Sequence, residues 1–312
     1  MKSLYHSYYR FYKPHQKPEK ILAISDVHFA GQISADMHRA LKFAKKQSPA
    51  LITISGDLVD NLDDINTEKE RAGLKKWLSE MAAIAPVCLC LGNHDYYRKG
   101  PNFKSAINRK GYGYITVEPT ALKELAAEIN NVHFLDNEFY MDGNNCVYGF
   151  TLPADYYDCE LHPGVEDLSL FEGALEKVAA SFEKLPKHKT KIILIHSPAF
   201  LKEPSIRKHL ENFDFIIAGH MHNGIVPPLL HEVWRGHSGI TTPTKKFFRD
   251  HNTRLGLYDN QFIGLGAITT VHKGSKPFGW ANTLFPTYVA TIEVGHNIAD
   301  ERKPDVKHKY ER

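Results

Sequence analysis

Five short apolar runs punctuate the chain, and each stops abruptly at a polar residue: Ile21–Ser25, Leu51–Gly56, Val87–Gly92, Ile192–Ile195 and Phe213–Gly219. They are rich in Ile, Leu and Val and lack polar alternation, the pattern of strands buried on both faces. Helical periodicity over Ala35–Lys46 and Lys69–Ala83 separates the first three, which predicts βαβ crossovers and parallel pairing. A third helical stretch, Leu168–Lys184, precedes the fourth run. Phe134–Tyr140 and Cys146–Phe150 flank the turn sequence MDGNN, and Arg254–Tyr258 and Gln261–Leu265 flank DN, so both pairs read as β-hairpins. Tyr288–Val294 adds a further strand. These elements predict an α/β domain over 19–298, built of two packed sheets with outer helices. A basic, aromatic segment precedes it (1–18), and a charged tail follows (299–312) that is expected to be disordered.

A chain of 312 residues with 42% hydrophobic residues can bury a substantial core. Its formal charge of +3 gives no strong nucleic-acid signal, so anion binding has to be local. Cys88, Cys90, Cys146 and Cys159 show neither CxxC nor paired zinc spacing, which argues against a disulfide framework or thiolate metal site and fits a reduced, cytoplasmic compartment. No apolar stretch is long enough to span a membrane, and the N-terminus lacks the apolar region of a signal peptide. Tyr5, Tyr8, Tyr9, Phe11 and Tyr12 interleave with Lys2, Arg10 and Lys13, a composition suited either to peripheral membrane contact or to packing on the domain; Lys245–Arg249, in KKFFRD, raises the same alternative.

The residues that follow the five apolar runs change the picture. They are Asp26 and His28, Asp57 and Asp60, Asn93 and His94 with Asp95, His196, and His220 and His222. Each fragment alone is a weak signal, and the last could be a glycine turn with surface histidines. Parallel strands in an α/β sheet, however, deliver their carboxyl ends to one crevice, so the endings converge. Oxygen and imidazole donors without thiolate suit Mn, Fe or Zn. So many side chains exceed the needs of one ion, whereas two ions sharing a carboxylate would use most of them, an arrangement suited to in-line phosphoryl displacement.

In order, DVH, GDLVD, GNHD, IHSP and GHMH resemble the motifs of the calcineurin-like metallophosphoesterase superfamily, over about two-thirds of the chain. The resemblance implies a four-layer α/β/β/α sandwich of two mixed β-sheets, with a dimetal site at the strand C-terminal ends. It also implies Asp26, His28 and His222 on one ion, Asn93, His196 and His220 on the other, and Asp57 bridging. His94 would protonate the leaving group or grip the phosphate, oriented by Asp60. The second motif lacks the ending usual in Ser/Thr protein phosphatases, and the chain looks closer to the small bacterial phosphodiesterase-like branch, although Ile225 stands where that branch tends to have Gln.

The expected activity is hydrolysis of a phosphate ester, a diester before a monoester, by attack of a metal-bridging hydroxide. A nuclease, a phosphomonoesterase and a non-catalytic scaffold of the same fold are the alternatives. Phe29, Tyr96, Tyr97 and Arg98 follow the motifs directly and are expected to line the substrate crevice, and residues 226–254 are a candidate cover for it.

Overall fold

The computed structural model describes residues 3–14, 16–100, 114–152, 154, 169–183, 185–198, 208–211, 213–222, 256–258, 261–270, 282–295 and 305–311. The chain alternates β2 (Glu19–Ile24), α1 (Ala35–Gln47), β3 (Leu51–Ser55), α2 (Glu68–Ala82) and β4 (Val87–Cys90). β3 pairs in parallel with both β2 and β4, as the helical crossovers require. The helix starts are encoded locally. Ser34 accepts the Met37 N–H, and Thr67 and Glu70 form a reciprocal capping box, caps of a kind worth about 1 kcal/mol each.

After β4 come a short ribbon, β5 (Tyr97–Lys99) with β6 (Tyr114–Thr116), then α3 (Thr120–Ala127) and β7 (Val132–Phe134). β8 (Phe139–Met141) and β9 (Asn145–Phe150) form the first expected hairpin. α4 (Ser169–Glu183) leads to β10 (Thr190–Ile195) and β11 (Phe215–Ala218); β12 (Gly256–Tyr258) and β13 (Phe262–Gly264) form the second hairpin. β14 (Thr287–Gly295), β1 (Leu4–Tyr12) and β15 (Asp305–Glu311) complete the strands among the described residues.

Two mixed sheets result. One runs β15-β1-β14-β2-β3-β4-β7, the other β12-β13-β11-β10-β9-β8. Successive strand residues point to opposite faces, and the apolar clusters divide accordingly. Ile21 and Ala23, Ile192 and Leu194, Phe215 and Ile217, and Ala290, Ile292 and Val294 share one buried cluster between the sheets. Leu22 and Ile24, Ile52 and Ile54 belong to a second, with Met37, Ala40, Leu41 and Ala44 of α1 and Leu74, Trp77, Leu78 and Met81 of α2. Both faces of the central strands are thus covered, which is why their sequences show no alternation.

Both termini depart from the sequence reading. The segment expected to sit outside the domain contributes β1, an inner strand paired in parallel with β14 from Leu4–Thr287 to Tyr12–Gly295. Its aromatics serve the core: Tyr9 and Phe11 are buried between the sheets, and the Phe11 ring meets Phe215 at 4.3 Å. The tail expected to be disordered supplies β15, antiparallel to β1 from Leu4–Glu311 to Arg10–Asp305. β1 would otherwise present a row of unpaired backbone groups, which gives even a charged segment a partner. Cys88, Cys90 and Cys146 are buried free thiols, and Cys159 lies outside the described residues. No helix among the described residues is long and apolar enough to cross a membrane. The Lys245–Arg249 stretch and residues 226–254 lie outside the described residues.

Candidate metal centre

β2, β3, β4, β10 and β11 all end at the same edge of the paired sheets, and their next residues converge there. Asp26, His28, Asp57 and His222 offer ligand atoms within 4.8 Å of one another; so do Asp57, His196 and His220, and so do His28, Asp60 and His94. Asp57 belongs to the first two groups. Its Oδ2 stands 3.8 Å from Nε2 of His28 and 3.2 Å from Nε2 of His196. Asn93 joins the second group through Oδ1, 3.2 Å from His196 Nε2, which is itself 3.2 Å from His220 Nδ1. In the first group, His222 Nε2 lies 3.1 Å from Asp26 Oδ1 and 3.2 Å from His28 Nε2.

The backbone reaches this arrangement through a conformation ordinary residues avoid. Asp26 (φ 52°), His28 (φ 47°), Asp57 (φ 51°), His220 (φ 68°) and His222 (φ 46°) all lie in the left-handed region. Five such non-glycine residues in one cluster are a concentration of strain of the kind found at functional sites. Gly56 makes the tight turn before Asp57 at φ 76°. Gly219 is required by crowding instead: a Cβ there would fall 1.7 Å from Ser25 Oγ and 2.7 Å from Asp26 Oδ2.

Two imidazoles have their tautomer set from behind. His196 donates Nδ1–H to the Ser55 carbonyl at 2.7 Å, and His222 donates Nδ1–H to the Thr270 carbonyl at 2.8 Å. In the neutral ring each Nε2 is then a lone pair aimed into the cluster, the arrangement that orients metal-ligating histidines. Lone pairs and carboxylate oxygens face one another here at 3.1–3.8 Å, a donor set that calls for a shared positive charge. A cation at ordinary ligand distances would supply it, so the residues fit a metal site.

Without a cation, protons carry the compensating charge. Burial opposes ionisation of Asp57, yet His196, His94 and His28 hold its carboxyl well below the usual carboxylate range. Burial likewise disfavours a charged His196, but Asp57 outweighs it and pushes this ring up to about 9. His222 is raised too, against burial, by Asp26.

His94 sits at the rim, its side chain 15% exposed. Nδ1 is 2.6 Å from the Asp60 carbonyl oxygen, while the Asp60 carboxylate is farther, with Oδ1 3.7 Å from His94 Nδ1 and 3.8 Å from His28 Nδ1. The Asp60 contact to His94 is therefore made first by its backbone. The His94 N–H also donates to Asp57 Oδ1 at 2.8 Å.

The residues expected to line the crevice divide. Phe29 is fully buried, its backbone bonded to Leu58 and Asp60, and it faces the core beside Gly73. Tyr96 is buried, its hydroxyl donating to the Leu152 carbonyl at 3.2 Å. Tyr97 is half-buried, with its ring 5.7 Å from that of His94, and Arg98 is held on the surface by Asp63 and Asn66.

Asp95, not singled out as a site residue, is a buried strut. Oδ2 accepts the Gly92 N–H at 2.8 Å and Oδ1 the Val59 N–H at 3.1 Å, which ties the loop after β3 to the loop after β4. The signal was its place in GNHD, but nothing in the sequence distinguishes a strut from a ligand. A cavity of about 460 Å³ lined by Phe11, Lys13, Phe213 and Asp214 lies at the other end of β11 and holds none of the candidate ligands.

Residues 19–224 match the family model of the calcineurin-like phosphoesterases. The chain belongs to the calcineurin-like phosphoesterase family. Among curated proteins, none matches this phosphoesterase. Of solved structures, TT1561 of Thermus thermophilus is 14% identical, with 65% of this chain and 82% of that one covered at a TM-score of 0.41. The phosphopantetheinyl hydrolase PptH of Mycobacterium tuberculosis is 15% identical, covering 84% and 94% at 0.37. The nuclease MPE of Pseudomonas putida is 17% identical, covering 43% and 55% at 0.26. The family membership makes this phosphoesterase a metal-dependent hydrolase of phosphate esters.

Proposed function

We propose that the protein is a binuclear phosphodiesterase whose ions share Asp57. The observation that carries this reading is the position of that carboxylate, common to both ligand groups and flanked by His28 on one side and His196 on the other. Asp26, His28 and His222 would hold one cation, and Asn93, His196 and His220 the other. Such ions, when bound, lower the pKa of water and neutralise charge on phosphoryl oxygens.

The chain's own residues supply the rest. Asp57, its carboxyl held well below the usual carboxylate range by His196, His94 and His28 against burial, fixes the separation of the two halves of the site. The Ser55 and Thr270 carbonyls keep Nε2 of His196 and His222 turned inward. With Nδ1–H given to the Asp60 carbonyl, a protonated His94 has Nε2–H left to donate to the departing alkoxide, the oxygen most in need of a proton. Asp95 and Gly219 hold the loops close enough for this to happen at one place.

The test is hydrolysis of bis-p-nitrophenyl phosphate and p-nitrophenyl phosphate by protein of known metal content. The diester should be the better substrate by kcat/KM. A preference for the monoester would overturn the diester assignment, and inactivity on both with metals in place would overturn the enzymatic reading.

A further inference from the structure

We propose that Tyr97 forms the wall against which the organic part of the leaving group rests, so that this enzyme favours esters whose leaving alcohol is aromatic or otherwise flat. The inference rests on the proposed role of His94 and extends it to a specificity-determining residue.

The rings at the site form a row leading outward. Centroids lie 5.1 Å apart from His222 to His28, 4.7 Å from His28 to His94, and 5.7 Å from His94 to Tyr97. His222 and His28 belong to the Asp26 group; His28 is buried, the His222 and His94 side chains are 13% and 15% exposed, and Tyr97 is half-buried, so from His28 the row runs outward through His94 to Tyr97. In an in-line displacement the leaving oxygen departs from the face opposite the nucleophile, and the acid that protonates it must stand on that face. The alcohol attached to that oxygen therefore extends past His94, where Tyr97 is the next ring.

Tyr97 is also held as a binding surface should be. It opens β5, whose neighbours are pinned: the Lys99 N–H donates to Asp63 Oδ2 at 2.8 Å, Arg98 reaches Asn66 Oδ1 at 3.3 Å, and Tyr97 itself registers with Thr116 of β6. The Asp63 and Asn66 anchors lie in and just after the 3₁₀ turn Leu62–Ile65, which closely follows Asp60. The same segment thus positions His94 and the ribbon that carries Tyr97, which fixes the ring against the acid. An aromatic face at this place offers stacking to a flat group and little to a small alkyl group.

The experiment compares methyl phenyl phosphate with a methyl fluoroalkyl phosphate of matched leaving-group acidity, using wild type, Tyr97→Phe and Tyr97→Leu, each with its metal content measured. Tyr97→Leu should lose about 10-fold in kcat/KM on the phenyl ester, mainly through KM, the size expected for one stacking contact. It should be nearly unchanged on the fluoroalkyl ester, and Tyr97→Phe should restore the phenyl ester. Equal loss on both esters with metals retained would overturn the proposal. So would no loss on either, or failure of phenylalanine to restore. Inactivity of the wild type on both esters would instead count against the phosphodiesterase reading on which the proposal rests.

Discussion

Metal uptake by the stripped protein should depend steeply on pH because the ligands hold protons that a cation must displace. His196 is the clearest case. Nε2 lies 3.2 Å from Asp57 Oδ2, and at an effective dielectric near 20 a pair of unit charges at that distance is worth ~5 kcal/mol. That outweighs the burial that would otherwise keep the ring neutral, and the imidazole stands at about 9 instead of its ordinary 6.5. A cation needs the neutral ring, so below about 9 its apparent affinity should fall ~10-fold per pH unit for this proton, or ~30-fold between pH 8.5 and 7. His222, also raised, steepens the trend. Calorimetric titration of the stripped protein in two buffers of different ionisation enthalpy gives both affinity and protons released, and one proton or more per binding event at pH 7 is expected. In stripped Asp57→Asn the His196 ring should titrate well below about 9 by NMR, since the main group raising it is gone while only Asp26 and the Ser55 carbonyl still oppose burial. Flat affinity over this range with no proton release, or a His196 titration indifferent to Asp57, would refute the reasoning. The stability of the stripped protein runs the opposite way with pH. A ring raised by folding stabilises fully below about 6.5, and that contribution is lost as pH rises through about 9.

Two further outcomes follow from the same geometry. His94→Ala should keep its metals by elemental analysis yet lose turnover ~10²–10⁴-fold, with a smaller loss for acidic leaving groups, as removal of a general acid predicts. Gly219→Ala should lower the melting temperature, at a cost of ~1–3 kcal/mol typical of overpacking, and weaken the cation held with Asp26, because the added methyl falls on Ser25 Oγ and close to Asp26 Oδ2.

The strands and the clustering of the candidate ligands were legible in the sequence for one reason: strands buried on both faces cannot hide where they stop, and the residues after β2, β3, β4, β10 and β11 are polar donors. The hairpins were legible from their turn residues. What escaped were features set by pairing between distant segments. β1 finds its parallel partner at Thr287–Gly295 and its antiparallel partner at Asp305–Glu311. No local pattern records those partners, so aromatic and basic composition left membrane contact and packing on the domain as alternatives. Two of the four residues expected to line the crevice, Phe29 and Tyr96, are buried for a different cause. Phe29 and Tyr96 adjoin ligands in sequence, but the turns there invert the direction of side chains: His28 is left-handed, and Phe29 bridges to Val59 and points inward. The left-handed backbone at Asp26, His28, Asp57, His220 and His222 was not legible either: Asp and His enter that region more often than most residues, but too seldom for their presence to mark it.

The central claim is that one carboxylate serves two ions, and the metal content of Asp57→Ala tests it most directly. Stripped wild type and variant would be reloaded under identical conditions, freed of loosely held ions and assayed for metal per chain, with folding of the variant confirmed by circular dichroism. Because Asp57 belongs to both ligand groups, its loss should empty both positions together, leaving two ions per chain in the wild type and close to none in the variant. A folded Asp57→Ala protein that retains one ion, or the wild-type content, would contradict the shared bridge.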